Sequence, residues 1–341
     1  MSRSILLPLL ADGEFCSGQD LADALGVSRT AVWKQLNKLA TETGLVIDSV
    51  KGRGYRIPGG LDLLDADKVK SGLNAQAASL LTSLTLLESV DSTNAEALRW
   101  AEDASASGRV CSAEQQTAGR GRRGRQWVSP FAGNLYLSLV WEFEQGAAAL
   151  EGLSLAVGVA VARALAQLDL PSVQLKWPND ILHQGAKLGG VLLEMTGDAA
   201  GACQVVIGVG LNVSMPTAAG KDIDQAWTDV RSLAGDRHPG RNALLSGLLN
   251  ELLPLAAGFE AGGFARWRDD WQSLDAFAGE TVLLQAGPKK MAGVARGVTE
   301  RGALVRASGS GGPAVSGGVM SLRAAGGVRV CYWTWASAVP W

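Results

Sequence analysis

The sequence has little of the two residue types that most often hold metals or build covalent frameworks. It contains two histidines, His183 and His238, among 341 residues, which argues against a histidine-based triad or a histidine-rich metal site. Its four cysteines are scattered without metal-ligand or disulfide spacing, as is typical of proteins in a reducing cytosol. We therefore expect a cytoplasmic protein and assign no metal ligands.

Long apolar runs and an excess of charge are also missing. The N-terminal run MSRSILLPLLADGEF is too short to span a membrane and lacks a small-residue cleavage site, so the sequence predicts no membrane span and no export signal. The formal net charge is −2, so any nucleic-acid contact would have to come from a local basic patch. With 47% hydrophobic residues, the chain can form about two or three domain cores.

The first sixty residues carry the pattern of a winged helix-turn-helix. Two amphipathic helices are predicted on either side of Gly26, with Ser28 capping the second, and a hairpin with a basic tip follows over LVIDSVKGRGYRIP. Residues 28–56 contain six basic and two acidic residues, a local charge of +4, which favours contact with DNA phosphates. The alternative is a small helical packing module with a solvated charged face. The residues expected to face DNA are Ser28, Arg29, Thr30, Trp33, Lys34, Lys51 and Arg53.

From about residue 80 the pattern changes to mixed strands and helices. Several predicted strands follow one another without a helix between them, which favours an α/β (α+β) domain with a largely antiparallel sheet over a regular βαβ series. A small β-barrel is predicted over 277–325, preceded by a helix over 251–274, and the tail beyond 325 has no predicted fold. The central strands are expected at 84–87, 135–141, 173–176, 191–194 and 205–209, with a buried helix over 152–168.

The segment DSTN, residues 91–94, ends a strand and opens a helix. A helix cap accounts for it, because hydroxyl and amide side chains accept bonds from the free N–H groups at a helix start. Such a helix start can also hold a polar ligand. Both interpretations stay open on this motif alone.

The segment GRGRRGR, residues 119–125, places four arginines and three glycines together with no acidic residue. Glycine lets the backbone approach a ligand, and arginine offers a fork of donors that matches phosphate or carboxylate. No Gly-Lys-Ser/Thr follows, so this is not a Walker A motif. A solvated mobile loop and an RNA-binding arginine tract are the alternatives.

The segment KWPND, residues 176–180, predicts a strand that ends at Pro178 with Asn179 and Asp180 in the turn. It is followed by KLGG at 187–190, where Lys187 can supply a compact positive charge to a carboxylate or phosphoryl oxygen. A hairpin with a surface lysine is the alternative. Further on, the glycines and amide of GVGLNV, residues 208–213, can line a pocket.

In this order, from about residue 5 to about residue 325, the motifs closely resemble the bifunctional biotin ligase/biotin operon repressor family. The resemblance implies a winged helix-turn-helix over 1–60, a linker over 61–80 and a class II synthetase-like biotin- and ATP-binding catalytic domain over 81–275. It further implies an SH3-like domain over 276–325 and leaves a tail, 326–341, unassigned.

The family activates biotin with ATP to biotinyl-5′-AMP and then passes biotin to a lysine of a biotin carboxyl carrier protein. The resemblance implies ATP and biotin as substrates and Mg²⁺ as a cofactor, with catalytic roles for Arg122, Lys187 and Asp180, the last to orient or deprotonate the incoming lysine. Nucleotide contacts are implied for Arg122, Trp127, Asn179 and Asn212. The implied biotin contacts are Ser92, Thr93, Asn94, Gln116, Arg120, Gly121, Arg122 and Lys187.

The same resemblance implies that the arginine-rich loop closes over the adenylate and shields it from water. Biotinyl-5′-AMP would then also act as co-repressor, promoting a homodimer that presents two helix-turn-helix units to the operator of biotin-synthesis genes. Two alternatives remain: a ligand-sensing repressor without ligase activity, and a lipoate or octanoate transferase of related fold. The presence of the motif lysine, arginines and Asp180 argues against the first.

Overall fold

The computed structural model describes residues 2–102, 106–198, 200–221, 223–286, 289–307, 314–315 and 320–324. The unassigned tail at 326–341 lies outside these residues. The N-terminal unit has the elements α1 (Ser2–Leu10), α2 (Gly18–Leu25), α3 (Arg29–Thr43), β1 (Asp48–Val50) and β2 (Gly54–Arg56).

The helix-turn-helix and its wing are confirmed. Gly26 ends α2 in the left-handed conformation (φ 64°), and Ser28 caps α3 by accepting a bond from the Ala31 N–H at 3.3 Å. The strands β1 and β2 pair as an antiparallel hairpin. Helix α1 was not predicted, because Pro8 breaks the expected helical pattern in its short apolar sequence. Below, the N-terminal core means the buried residues Leu6, Leu7, Leu10, Leu21, Ala22, Val32, Leu36, Leu39, Ile57, Phe131 and Ala132.

Residues 61–80, expected as a linker, contain the helices α4 (Ala66–Ser71) and α5 (Ala75–Leu80). Both pack on the long helix Arg241–Gly258. The start of the segment is held by Asp62, which accepts a hydrogen bond from the Arg241 N–H. The fully buried Arg241 guanidinium in turn pairs with Glu114 at 2.5 Å. The connection is therefore a folded part of the molecule.

The centre of the chain folds around a seven-stranded mixed sheet, called the catalytic sheet below. Its strand order is β3-β4-β5-β9-β8-β7-β6, and only β3 and β4 are parallel. The predicted central strands and the antiparallel tendency are confirmed, while β4 and β7 were not predicted. In chain order the elements are β3 (Ser83–Leu87), α6 (Thr93–Trp100), β4 (Arg109–Ala113), β5 (Asn134–Phe143), α7 (Leu153–Gln167), β6 (Gln174–Lys176), β7 (Asp180–His183), β8 (Ala186–Gly197), β9 (Cys203–Asn212), α8 (Val230–Ala234) and α9 (Arg241–Gly258).

One face of the catalytic sheet carries the main hydrophobic core, where α7 and α9 pack. The stretch Ala147–Gln167, which contains α7, has the length and apolar composition of a membrane span. Most of it is buried inside the fold, which is typical of the core helix of a globular domain. On the opposite face, called the open face, α6 covers parts of β4, β5 and β9.

Two local predictions were wrong. The helix expected over 251–274 is in fact the end of α9, a turn at 259–263 and then α10 (Arg268–Ser273). Gly258, Gly262 and Gly263 interrupt the helical pattern, and Gly263 has a φ of 55°. Asp180 is not in the turn after Pro178 but is the first residue of β7, paired with Lys176.

The C-terminal region forms an antiparallel sheet of five strands in the order β13-β12-β11-β10-β14. This agrees with the small β domain expected over 277–325. Val282, Leu284, Leu304 and Leu322 are buried and join the main core, so the sheet packs on the central region. The strands are β10 (Thr281–Ala286), β11 (Lys289–Val298), β12 (Leu304–Ala307), β13 (Ala314–Val315) and β14 (Met320–Ala324).

Candidate active site

Three glycines on β8 and β9 make room for ligand-site side chains on the open face of the catalytic sheet. Gly190 pairs with Gly210, and Gly208 lies two residues further along the same face. A Cβ at Gly208 would lie 2.2 Å from Asn94 Oδ1, and one at Gly210 would lie 2.7 Å from the ring of Trp127. Real Cβ atoms do not approach this closely. These two positions are therefore glycines because the side chains of Asn94 and Trp127 occupy the space.

Trp127 lies on this bare part of the sheet, next to Lys187. The Lys187 ammonium is 5.4 Å from the centre of the indole ring, within the range of a cation–π interaction. The indole N–H is buried, and among the described residues it has no hydrogen-bond partner. A buried donor of this kind is rare in folded proteins and is available to a bound molecule.

The DSTN motif forms the end of the site that lies under α6. Ser92 caps α6, and all three of Ser92, Thr93 and Asn94 are buried. Gln116 accepts a bond from the Thr93 N–H at 2.9 Å. The cap and the ligand-site interpretations are therefore compatible, because the capping residue leads directly into side chains that face the sheet.

Two residues that the sequence analysis did not single out organise this end of the site. Ser138, on β5, lies 2.8 Å from Thr93 Oγ1 and donates to Asn94 Oδ1 at 2.6 Å. Glu194, on β8, accepts from Asn94 Nδ2 at 2.8 Å. The strand alternation of β5 and β8 places both on the open face, but a single sequence does not indicate which strands are neighbours.

The arginine loop, residues 119–125, folds as a tight hairpin closed by the Gly121 N–H bond to Arg125 O at 2.7 Å. Arg120 and Gln126 form an isolated bridge across it. Arg123 has a φ of 62°, which is unusual for a residue other than glycine. The loop lines a cavity of about 530 Å³ together with Leu192 and Glu194 of β8.

The arginine loop concentrates positive charge beside the cavity. Arg120 pairs with Glu194 at 3.3 Å, and the half-buried Arg122 donates to the neutral Asn179 Oδ1 at 3.3 Å. Burial, together with the like charges of Arg123 and Arg125, lowers the pKa of Arg122, against the opposing effect of Asp180. An anion bound at this loop would relieve the repulsion and the cost of burial.

Asp180 and two lysines form a partly buried cluster beside the arginine loop. Asp180 Oδ1 is 2.6 Å from Lys187 Nζ, and Asp180 Oδ2 is 3.2 Å from Lys176 Nζ. Burial raises the pKa of Asp180, but the two lysines outweigh it and hold the pKa below its ordinary value. Asp180 is therefore a charged carboxylate at neutral pH.

The two asparagines among the four predicted nucleotide contacts, Asn179 and Asn212, lie near the start of β8 and the end of β9. Asn179 donates to Val191 O at 2.7 Å, and Asn212 donates to Thr228 O at 3.0 Å. Asn212 Oδ1 is buried, and within the described parts of the chain it has no hydrogen-bond partner. Together with the Trp127 indole N–H, it provides one acceptor and one donor for a polar ring.

Among the described residues, no group of three or more His, Cys, Asp or Glu could hold a metal ion. Two carboxylates beside the loop are already paired, Asp180 with lysines and Glu194 with Arg120 and Asn94. These residues do not form a Mg²⁺ site of their own. We therefore derive no catalytic step through a protein-bound metal.

The residues predicted to contact DNA are all exposed on the N-terminal unit. Trp33 is 55% exposed on α3, and the wing residues Lys51 and Arg53 are exposed as well. The Arg53 guanidinium stacks on the ring of Phe15 at 4.2 Å from its centre. This contact holds the wing arginine in place. Sequence patterns do not reveal it, because Phe15 and Arg53 are far apart along the chain.

Comparisons with known proteins agree with this geometry. The profile of the "Biotin/lipoate A/B protein ligase family" matches residues 86–212, and that of an "HTH domain" matches residues 2–56. The "Bifunctional ligase/repressor BirA" of Escherichia coli is 40% identical over 300 residues, which is 88% of this chain and 90% of that protein. The protein of the same name from Salmonella typhimurium is 40% identical over 94% of this chain and 97% of its own length.

Two further relatives are informative. A "Biotin--[acetyl-CoA-carboxylase] ligase" from Paracoccus denitrificans is 37% identical over 64% of this chain and 92% of that protein. The solved structure of the biotin protein ligase from Aquifex aeolicus in complex with biotin and ATP has 30% identity and a TM-score of 0.62, covering 72% of this chain and all of that one. The chain belongs to the bifunctional biotin ligase/repressor family.

Proposed function

We propose that this protein is an ATP-dependent biotin protein ligase that also represses transcription. The ligase function is supported by one observation. Lys187, Trp127, the arginine loop and the DSTN motif lie together on the open face of the catalytic sheet. In the first reaction, a biotin carboxylate oxygen attacks the α-phosphorus of ATP and pyrophosphate leaves. The related Aquifex aeolicus ligase, solved with biotin and ATP, supports this choice of substrates.

The structure suggests how the first reaction is divided among side chains. The side chains of Ser92, Thr93, Asn94 and Gln116 lie together beneath α6 and offer hydrogen-bond donors and acceptors that suit the ureido ring and tail of biotin. The biotin carboxylate and the α-phosphate would then lie between Lys187 and the arginine loop, where Arg120, Gly121 and Arg122 line the cavity. Fixed positive charge stabilises the negative charge that grows on the phosphoryl oxygens in the transition state.

The nucleotide would lie against Trp127, Asn179 and Asn212. The indole offers an aromatic face at the sheet, and its N–H and the Asn212 carbonyl oxygen are the buried polar atoms described above. Mg²⁺ would arrive with the phosphates of ATP, which is common where a protein offers few carboxylates of its own. When bound, it would neutralise phosphate charge.

In the second reaction the ε-amine of a carrier lysine attacks the carbonyl carbon of biotinyl-5′-AMP, an amide forms and AMP leaves. Asp180 lies where the arginine loop, Lys187 and Asn179 meet. Because its pKa is lowered by two lysines, it is a weak base. We therefore assign Asp180 to orienting the incoming ammonium group, while the proton passes to solvent. The Paracoccus denitrificans relative supports a biotin carboxyl carrier protein as acceptor.

A labelling experiment tests the ligase. Incubation with biotin, ATP, Mg²⁺ and a carrier domain is expected to add one biotin to one carrier lysine, detected by the mass of the carrier. A carrier that gains no mass above the control without ATP would contradict the proposal. Competition between biotin and lipoate in the same assay separates this function from a lipoate or octanoate transferase, because only biotin should be consumed.

The proposed repressor function is supported by the exposed basic residues of the N-terminal unit. We propose that biotinyl-5′-AMP favours a homodimer, which presents two copies of α3 to a palindromic operator of biotin-synthesis genes. The name of the Escherichia coli relative, a ligase and repressor, supports the pairing of the two functions. Both functions would act in the cytoplasm, where ATP, carrier and operator meet.

A gel shift with the promoter region of biotin-synthesis genes is expected to show stronger binding when biotin and ATP are both present. Lys34→Ala removes one exposed charge from α3 and should lower the slope of log affinity against log salt by about 0.9. Lys38→Ala is the matched control on the same helix, because Lys38 already pairs with Glu42 at 3.8 Å. Equal affinity for the promoter with and without biotin and ATP would contradict the proposal that biotinyl-5′-AMP is a co-repressor.

A further inference from the structure

Phe131 belongs by sequence to the catalytic domain but by packing to the DNA-binding unit. Its side chain is 3% exposed and lies in the N-terminal core, among residues of α1, α2 and α3. Ala132 accompanies it, and no other buried residue from beyond position 57 belongs to that core within the described chain. An aromatic ring from the catalytic domain is therefore part of the core of the DNA-binding unit.

The chain between this ring and the ligand site is short and tightly held. We call residues 127–133 the anchor segment. Four residues span at most about 14 Å when fully extended, so a displacement of Phe131 can reach Trp127 over a short length of chain. Ser129 accepts from Gln116 Nε2 at 3.0 Å, and Pro130 O accepts from the Tyr136 hydroxyl at 2.8 Å. Each of these bonds ties the anchor segment to the site or to β5.

The backbone at the end of the anchor segment, next to the N-terminal core, has a strained conformation. Ala132 has a φ of 51°, a conformation that costs free energy for a residue with a Cβ. Its N–H bonds to Glu114 O at 2.9 Å, two residues before Gln116. The burial of the adjacent Phe131 ring offsets this cost, so loss of the ring would let the turn relax.

A second contact joins the same two parts of the molecule. Arg3 of α1 pairs with Glu88 at 2.6 Å, and Glu88 lies four residues before Ser92. Both groups are partly exposed, and such ion pairs contribute little on their own. The buried ring of Phe131 therefore connects the N-terminal unit with the ligand site more closely than this partly exposed ion pair.

We infer that Phe131 is a positioning residue of the ligase site, which holds Trp127 against Gly210 and Ser129 against Gln116 by anchoring in the N-terminal core. The inference rests on the proposed ligase function. Because coupling between binding sites is reciprocal, a ligand that fixes Trp127 also stabilises the packing of Phe131 in the N-terminal core.

The test is a graded series in the full chain: Phe131→Leu, Phe131→Val and Phe131→Ala. We expect the KM for biotin to rise along the series and to reach about 10- to 100-fold in the alanine variant, with a smaller change in kcat. The matched control is Leu39→Ala, which opens a cavity in the same N-terminal core at a 1% exposed residue on an element without site residues of the ligase. Its KM for biotin should stay within about twofold.

Amide hydrogen exchange gives a readout that does not depend on activity. The Ala118 and Trp127 N–H groups bond to Asp91 O and Gly119 O, and their protection should fall along the Phe131 series but not in Leu39→Ala. An unchanged KM and unchanged protection in the folded leucine and valine variants would overturn the inference, even if the alanine variant does not fold. So would an equal rise in KM in Leu39→Ala. A wild-type protein that labels no carrier would instead overturn the proposed function, and the exchange data would still decide on Phe131.

Discussion

Lys187→Ala is expected to slow biotinyl-5′-AMP formation about 10²- to 10³-fold, as when one preorganised donor to a developing oxyanion is removed. Lys187 is the lysine that lies both on Asp180, at 2.6 Å, and over the Trp127 ring. In the proposed arrangement, its ammonium lies where the biotin carboxylate and the α-phosphate meet. The measurement is pyrophosphate release with biotin and ATP in the absence of carrier.

Lys176→Ala is the matched control, because Lys176 pairs with the other oxygen of Asp180 at 3.2 Å. It lies on β6, at the edge of the catalytic sheet, and has no contact with Trp127 among those described. Its loss should change the rate only a few-fold. If the two variants are equally slow, the effect comes from disturbing Asp180 rather than from a direct contact of Lys187 with the reacting groups.

Lys187→Ala should also lower stability in a pH-dependent way. The two lysines hold the native pKa of Asp180 below its ordinary value of 3.8. A carboxylate with a lowered native pKa stabilises the folded state above its unfolded pKa, and this contribution is lost as the pH falls through the native value. The difference in unfolding free energy between wild type and variant, from urea titrations, should therefore be largest near neutral pH and shrink only below about pH 4.

The sequence was a good guide wherever structure is determined by near neighbours along the chain. The turn at Gly26, the cap at Ser28 and the central strands follow from local chemistry, and the structure has them. The motifs at 91–94, 119–125, 176–180 and 208–213 were predicted as parts of one site because their order resembles a known family. The glycines at 208 and 210 then acquire a physical reason, since Asn94 and Trp127 occupy the space of a side chain.

The sequence failed where the outcome depends on which distant elements meet. Helix α9 was placed too late because its start at Arg241 is fixed by bonds to Asp62, Glu114 and the Asn134 carbonyl. The roles of Ser138 and Glu194 depend on strand order, which periodicity does not contain. Phe131 looked like an ordinary residue after a motif, and only the fold places its ring in the N-terminal core.

Arg122→Gly is expected to release biotinyl-5′-AMP before transfer, so that bystander proteins become biotinylated. A charge-assisted hydrogen bond contributes about 1.5–3 kcal/mol, which corresponds to an increase of about 10- to 100-fold in the dissociation rate of the adenylate. Arg122 is half-buried beside Asn179 and Asp180, so its guanidinium lies on the sheet side of the arginine loop. The measurement is biotin incorporation into an added protein that is not a carrier, together with the dissociation rate of biotinyl-5′-AMP.

Arg125→Gly is the matched control, because it removes the same charge and adds the same backbone freedom at the exposed end of the same loop. Only a loss of contact at the ligand should separate the two variants, so Arg125→Gly is expected to retain the selectivity of the wild type for the carrier lysine. Promiscuous labelling by both variants would mean that loop flexibility or total charge retains the adenylate. Selective labelling by both would mean that the arginine loop does not hold the mixed anhydride through Arg122.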